Sequence, residues 1–204
     1  YETDVWSYKI PEPVEKIGLR LHIKPYQKPH PPIAMGGVSP GSDTLVMAGE
    51  RGWIPMSLNL IHKGIVQTHW AAVEQGAETT GRTPDRSIWR IAREIYVAET
   101  TEQAREEALG GTLARDFNEY WFNLLPLERF KIDPDMPDEA VTIEYLLDNL
   151  WIVGSPDDVA DQVRQLYDDV GGFGVLLAMG HEWVPKEKWL NSKTLLMNLS
   201  LIHI

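Results

Sequence analysis

The chain has no cysteine among its 204 residues. Disulfides, thiolate zinc sites, iron–sulfur clusters and thiol nucleophiles are therefore excluded within it, and a reducing, cytoplasmic setting is expected. No apolar run approaches the roughly 18 residues a spanning helix needs, so no membrane is expected as a partner. Positive charge is scarce: 19 Lys and Arg stand against 30 Asp and Glu, a formal net charge of −11. A nucleic-acid surface needs a basic face, so nucleic acid is excluded as well. No G-x-G-x-x-G follows an expected strand and no serine has a G-x-S-x-G context, which leaves dinucleotide-fingerprint and hydrolase readings unsupported. His62 and His69 stand seven apart with no carboxylate at ligand spacing, so they read as surface or packing residues and no metal is expected.

The ends also lack something. The chain opens on Tyr1, without an initiating Met, and reads as an interior-to-late piece of a longer protein. Its last six residues, Leu199 to Ile204, can be read as the translated mosaic end of a transposon-based sequencing adaptor. The native segment is therefore expected to end at Asn198, with 199–204 excluded from the fold.

What is present alternates. Pro31 to Gly37 reads as a strand, Ser42 to Arg51 as a short helix, and Gly52 to Ser57 as a second strand. His62 onward to Gly76 or Thr80 reads as a helix with an apolar stripe at Ile65, Trp70 and Val73. Ile88 to Ala98 reads as a third strand. A long helix is expected from Thr101, capped by Thr100 or Thr101, to about Leu124. Thr142 to Asn149 follows as a short helix. Gly154-Ser155-Pro156-Asp157-Asp158 is a helix start with serine at the cap and proline in the first position, and that helix ends at Gly171-Gly172. Phe173 to Met179 is expected to be a fourth strand, buried on both faces, and Glu182 to Met197 a closing helix. Tyr1 to Lys28, partly alternating through Ile17, Leu19, Leu21 and Ile23, reads as a hairpin-like excursion. Four strand–helix units of this kind predict a parallel sheet with right-handed crossovers. The expected fold is α/β, the C-terminal half of a (β/α)8 TIM barrel truncated at both ends, with chemistry at the strand C-termini; a doubly wound open sheet is the alternative.

Pro31 to Pro40 is the most informative stretch. An apolar strand ends in Gly36-Gly37-Val38-Ser39 and a helix follows, so backbone N–H groups and a hydroxyl meet near a helix N-terminus, where anions bind. The competing reading of the glycines is turn geometry alone.

Several segments together resemble one family. The run QKPHPPIAMGGVSP at Gln27–Pro40 is similar to the entry to the fifth strand of bacterial-luciferase-like flavin monooxygenases. Thr44–Met56, REIYVAETTEQAREEA from Arg93, VGSPDDVADQVRQLYDDVGG from Val153 and FGVLLAMGHEW from Phe173 resemble later segments in the same order, nearest the limonene-monooxygenase-like branch. The resemblance implies one partial barrel domain over 1–198, about strands five to eight. It implies reduced FMN as cofactor, supplied by a separate NAD(P)H:flavin reductase, with oxygen used to oxidise a small organic substrate, and a homodimer for the full-length protein. Deazaflavin F420 chemistry on the same fold, or non-catalytic flavin binding, are the alternatives. By position, Met35, Gly36, Gly37, Val38 and Ser39 are expected to contact the flavin. Met56, Ser57, Gly180, His181 and Trp183 are candidates for the substrate pocket. No catalytic side chain is assigned. Tyr120, Trp121 and Phe122 read as core or as a cover for the pocket.

Overall fold

The structure, a computed structural model, describes residues 7, 9, 12–19 and 25–199. It divides into two units, Tyr1–Pro32 and Ile33–Ile204. In the first, a 3-10 turn at Glu15–Ile17 is closed by Gly18 at φ +66°, and Val14 and Leu19 form an antiparallel bridge around it. This reversal is the described part of the expected hairpin-like excursion; Leu21 and Ile23 lie outside the described residues.

The second unit carries strands β1 (Ala34–Gly37), β2 (Ile54–Ser57), β3 (Arg90–Arg93), β4 (Ile95–Val97), β5 (Ile152–Gly154) and β6 (Val175–Ala178). Helices α1 (Asp43–Arg51), α2 (Lys63–Thr79), α3 (Thr101–Gly110), α4 (Thr112–Asp116), α5 (Phe122–Leu124), α6 (Ile143–Asn149), α7 (Pro156–Val170) and α8 (Lys186–Asn198) connect and follow them. The main sheet has the order β1-β2-β3-β6, every pair parallel. This is the expected run of β/α units.

One expected strand is two. Ile88 to Ala98 changes partner at its charged centre: the Arg93 carbonyl accepts from Met179 N–H of the β6 side, and the Glu94 carbonyl accepts from Ile152 N–H. Beyond that point the chain runs as β4, parallel to β5, in a separate two-stranded sheet. β5 itself was not anticipated, because three residues are too short to show a period.

Strand pairing sets two faces, since residues paired across parallel strands point the same way. The row Gly37, Ser57, Ile91, Leu176 faces the helices: Ile91 and Leu176 pack with Leu45 of α1, Val66 and Trp70 of α2, and Val159 and Val163 of α7. The neighbouring row Gly36, Met56, Arg90, Val175 faces the other way and is only partly covered. β6 therefore departs from expectation. Val175 is 36% exposed, because β6 pairs on one edge only among the described residues and half of its side chains lie on that less covered face. A second core gathers Phe117, Phe130, Leu146, Trp151 and Trp189 beneath α3, α4, α6 and α8.

Caps follow the sequence closely. Ser155 accepts from Asp158 N–H with Pro156 at the first position of α7, and Gly171 ends that helix at φ +75°. Thr100 rather than Thr101 caps α3. The long helix expected to reach Leu124 is interrupted at Gly111, restarts as α4, and passes through a π turn over Phe117–Trp121. Helices α1 and α2 cross at glycine: a Cβ on Gly49 would lie 2.0 Å from the Val73 carbonyl oxygen, and one on Gly76 1.8 Å from that of Val46. Of the six residues assigned to an adaptor, Leu199 extends the last turn by bonding to the Leu195 carbonyl, and 200–204 lie outside the described residues.

Candidate active site at the strand ends

The C-terminal ends of β1, β2, β3 and β6 lie along one edge of the sheet and carry most of the residues singled out in the sequence. At β1, Gly36 lies on the less covered face, where an added Cβ would only touch Leu58 at 3.4 Å. Gly37 has a different reason to be glycine. A Cβ there would meet Leu45 at 2.6 Å, so this residue lets α1 close on the strand. Met35, two residues before Gly37, shares its helix-packed side and does not share the face of Gly36. Val38 packs against the helix-side core. Ser39 is exposed, with its carbonyl held by His69 Nε2 at 3.0 Å.

The N-terminus of α1 differs from the expected anion site. Asp43 already places a carboxylate in its first turn. The Ser42 hydroxyl makes no cap bond; it pairs with Thr44 Oγ1 at 2.9 Å, and Thr44 donates to the Gly36 carbonyl at 2.6 Å. Of the expected flavin contacts, the Gly36 carbonyl is thus taken by Thr44, while Ser39 stands exposed at the turn.

At β2, Met56 lies on the same face as Gly36 and is half-buried. Ser57 does not line a pocket: it is fully buried on the helix side, its hydroxyl 2.8 Å from His69 Nδ1 and accepting from Trp89 Nε1–H at 3.0 Å. Its period in the strand, opposite to that of Met56, puts it there.

A cluster that spacing in the sequence did not reveal stands beyond β3 and β6. Glu94 is buried, at 1% exposure. Its carboxylate accepts from the Asn59 amide and lies 2.6 Å from His181 Nε2. The other ring nitrogen, Nδ1, lies 2.8 Å from Asp116 Oδ2 of α4. Burial pulls the imidazole pKa down, but the hydrogen bonds and charges of Glu94 and Asp116 outweigh it and the net shift is upward. Protonated His181 thus donates to a carboxylate at each nitrogen and ties the loop after β6 to the β3–β4 junction and to α4. Trp189 lies beside the ring, 5.7 Å between centroids. With Met179, Gly180, Tyr120 and Trp121 the cluster borders a cavity of about 270 Å³. Gly180 and His181 of the sequence candidates meet there, and Tyr120 and Trp121 form its aromatic side. Trp183 is 40% exposed and stands outside that lining. Glu94 and Asp116 went unrecognised; the one signal was a charged pair, Arg93-Glu94, inside an otherwise apolar strand.

Parallel β/α units with polar and titratable groups gathered at the strand C-termini define a parallel α/β protein with its site at the strand ends. The comparisons carry this further. Residues 10–172 match the family model for luciferase-like monooxygenases, and the chain belongs to that family. It is 28% identical to 3,6-diketocamphane 1,6-monooxygenase of Pseudomonas putida over 90% of this chain and 50% of that protein. It is 32% identical to limonene 1,2-monooxygenase of Rhodococcus erythropolis over 84% of this chain and 43% of that one. The solved structure of the oxygenating constituent of 3,6-diketocamphane monooxygenase from Pseudomonas putida, a type II Baeyer–Villiger enzyme in complex with FMN, superposes with a TM-score of 0.76 at 27% identity, covering 96% of this chain and 55% of that one. The chain thus spans about half the length of these relatives. Among the described residues no helix is long and apolar enough to cross a membrane.

Proposed function

We propose that this chain is part of a flavin-dependent monooxygenase that uses reduced FMN and oxygen to oxidise a small organic substrate. The observation that carries the reading is the likeness, over nearly the whole chain, to an FMN-bound monooxygenase at a TM-score of 0.76. Bound FMN supplies the oxygen chemistry; the residues here hold and enclose it. The backbone at Gly36 and the hydroxyl of Ser39 are assigned to the flavin. His69 and Ser57 hold the Ser39 turn from behind. Met56 on the less covered face, and Gly180 at the cavity, are assigned to the substrate side. Glu94, His181 and Asp116 fix the cavity wall. Both ring nitrogens of His181 are engaged, so it orients the wall and does not present a nitrogen to the substrate.

Reduced flavin is assigned to a separate NAD(P)H:flavin reductase, the full-length protein to a homodimer, and both to the cytoplasm; the lack of cysteine agrees with a reducing compartment.

The test uses protein produced from its full reading frame, with a flavin reductase, NADH and 18O2. Limonene and the diketocamphanes are the first substrates to assay. Mass spectrometry should find one labelled oxygen in the product, dependent on FMN. Fluorescence quenching by F420 without quenching by FMN would instead select the deazaflavin alternative. Flavin binding without oxygen consumption on any substrate would select a non-catalytic role.

A further inference from the structure

A second cavity, of about 300 Å³, is bordered by Lys63, Arg93, Trp151, Gln162, Gln165 and Asp169. These residues come from the start of α2, the end of β3, the entry to β5 and the side of α7. Arg93 lies on the helix side of the sheet, one residue before Glu94, and the cavity is separate from the one His181 borders.

Most polar groups of this wall are matched. Lys63 pairs with Asp169 at 2.7 Å. Gln162 exchanges hydrogen bonds with the Val153 backbone, and Gln165 donates to Asp169. Two donors are not matched. Arg93, 3% exposed, donates through Nη1 to the Ala92 carbonyl at 2.9 Å and the Leu58 carbonyl at 3.5 Å, while its Nη2 has no acceptor among the described residues. The Trp151 indole N–H, on a residue 4% exposed, has none either. Among the described residues Arg93 joins no ion pair. Burial draws the Arg93 pKa down to about 10 against the opposing charge of Glu94, so the guanidinium keeps its charge at neutral pH. A buried donor without an acceptor destabilises the fold, and more so when it is charged. Two residues that border the cavity thus each bury an unmet side-chain donor, and one of the two is cationic.

We propose that this cavity binds a small carboxylate-bearing molecule, whose oxygens accept the hydrogen bonds that Arg93 Nη2 and Trp151 Nε1 leave unmade. A carboxylate offers two acceptor oxygens and one negative charge, the pairing guanidinium favours. Asp148 and Asp169 on the same wall oppose a more highly charged anion such as phosphate. Both nitrogens are shut off from bulk solvent, so the molecule reaches them as the side chains yield, and binding should order Trp151.

Acetate is the probe. In 1H–15N spectra of the protein, with the Trp151 indole resonance assigned by its loss in Trp151→Phe, acetate should shift that resonance saturably. Acetamide and matched sodium chloride should not. Arg93→Lys, which loses the forked donor, should weaken acetate binding about tenfold. Should that variant fail to fold, Trp151→Phe provides the second arm: it should abolish the rise in melting temperature that acetate gives the wild type. A Trp151 resonance unmoved by acetate means the donors are met by water or by nothing, and overturns the proposal. Tighter binding of phosphate than of acetate overturns the carboxylate assignment.

Discussion

The Nε2 atom of His69 lies 3.0 Å from the carbonyl oxygen of Ser39. A carbonyl only accepts, so Nε2 carries a proton, and in the neutral ring Nδ1 is then the acceptor. The Ser57 hydroxyl, 2.8 Å away, donates to Nδ1, while Trp89 Nε1–H donates to Ser57 at 3.0 Å. Each donor in this run from Trp89 to Ser39 has one acceptor, and the run is satisfied only with neutral imidazole. It connects β2, α2 and the turn assigned to the flavin.

The pH dependence of His69 follows. Burial first, and the charge of Arg93, lower its pKa below the ordinary 6.5, against the opposing bond to Ser39. At pH values between the folded and unfolded pKa, the unfolded chain binds more protons. The His69 contribution to stability is therefore complete above about pH 6.5 and is lost as pH falls below it. Urea melts across this range should show His69→Gln with a shallower acid-side loss than the wild type. His62, also lowered, remains as common background in both proteins. Identical slopes would mean that His69 does not titrate differently on folding.

His181 has the opposite sign. Its folded pKa is raised, so its contribution is complete below the unfolded value of 6.5 and is lost as pH rises through the folded pKa. Glu94, at 2.6 Å and fully buried, outranks the partly exposed Asp116 as its partner. An NMR titration of the His181 ring should give a lower pKa in Glu94→Gln than in Asp116→Asn, with both below the wild type. Glu94→Gln should also cost about 1–3 kcal/mol of stability, from a charged hydrogen bond lost in a buried network. The reverse order of pKa values would make Asp116 the principal partner.

Local signals were legible in the sequence and distant pairings were not. Ser155, Pro156 and Gly171 mark both ends of α7 because capping and left-handed backbone are properties of single positions. The α2 stripe of Ile65, Trp70 and Val73 was readable because a 3.6-residue period is a local property of the chain. Glu94 and His181 lie 87 residues apart and meet only because Arg93 and Met179 pair at the end of the sheet. The misplacement of Ser57 and Met35 came from treating consecutive residues at a strand end as neighbours in a site, although alternate side chains leave on opposite faces. β5 was too short to read, and the partner change between Arg93 and Glu94 depends on where β5 and β6 arrive.

The crossing of α1 and α2 gives a prediction whose sign is the test. Alanine for glycine inside a helix ordinarily stabilises by up to about 1 kcal/mol. At Gly76 the new methyl would lie 1.8 Å from the Val46 carbonyl oxygen, and backbone cannot turn aside as a side chain does. Gly76→Ala should therefore destabilise, by about 1–3 kcal/mol or more, as the helices are forced apart. Thermal melts should show the drop. An unchanged or raised melting temperature would mean that the two helices are not in this contact.

The adjacent glycines of β1 separate packing from ligand contact. Gly37→Ala puts a methyl 2.6 Å from Leu45 and should lower stability by about 1–3 kcal/mol whether or not flavin is present. Gly36→Ala meets only the Leu58 side chain, at 3.4 Å, and Gly36 is not among the glycines with positive φ. Its melting temperature without flavin should stay near the wild-type value, helped by the smaller entropy of the unfolded chain. The added methyl projects from the face shared with Met56, so FMN affinity should fall, and the rise in melting temperature that FMN gives the wild type should shrink. If Gly36→Ala binds FMN as the wild type does, the flavin does not approach this backbone. The glycine pair would then be explained by Leu45 and turn geometry, and Ser39, just beyond β1, would be left as the residue to test next.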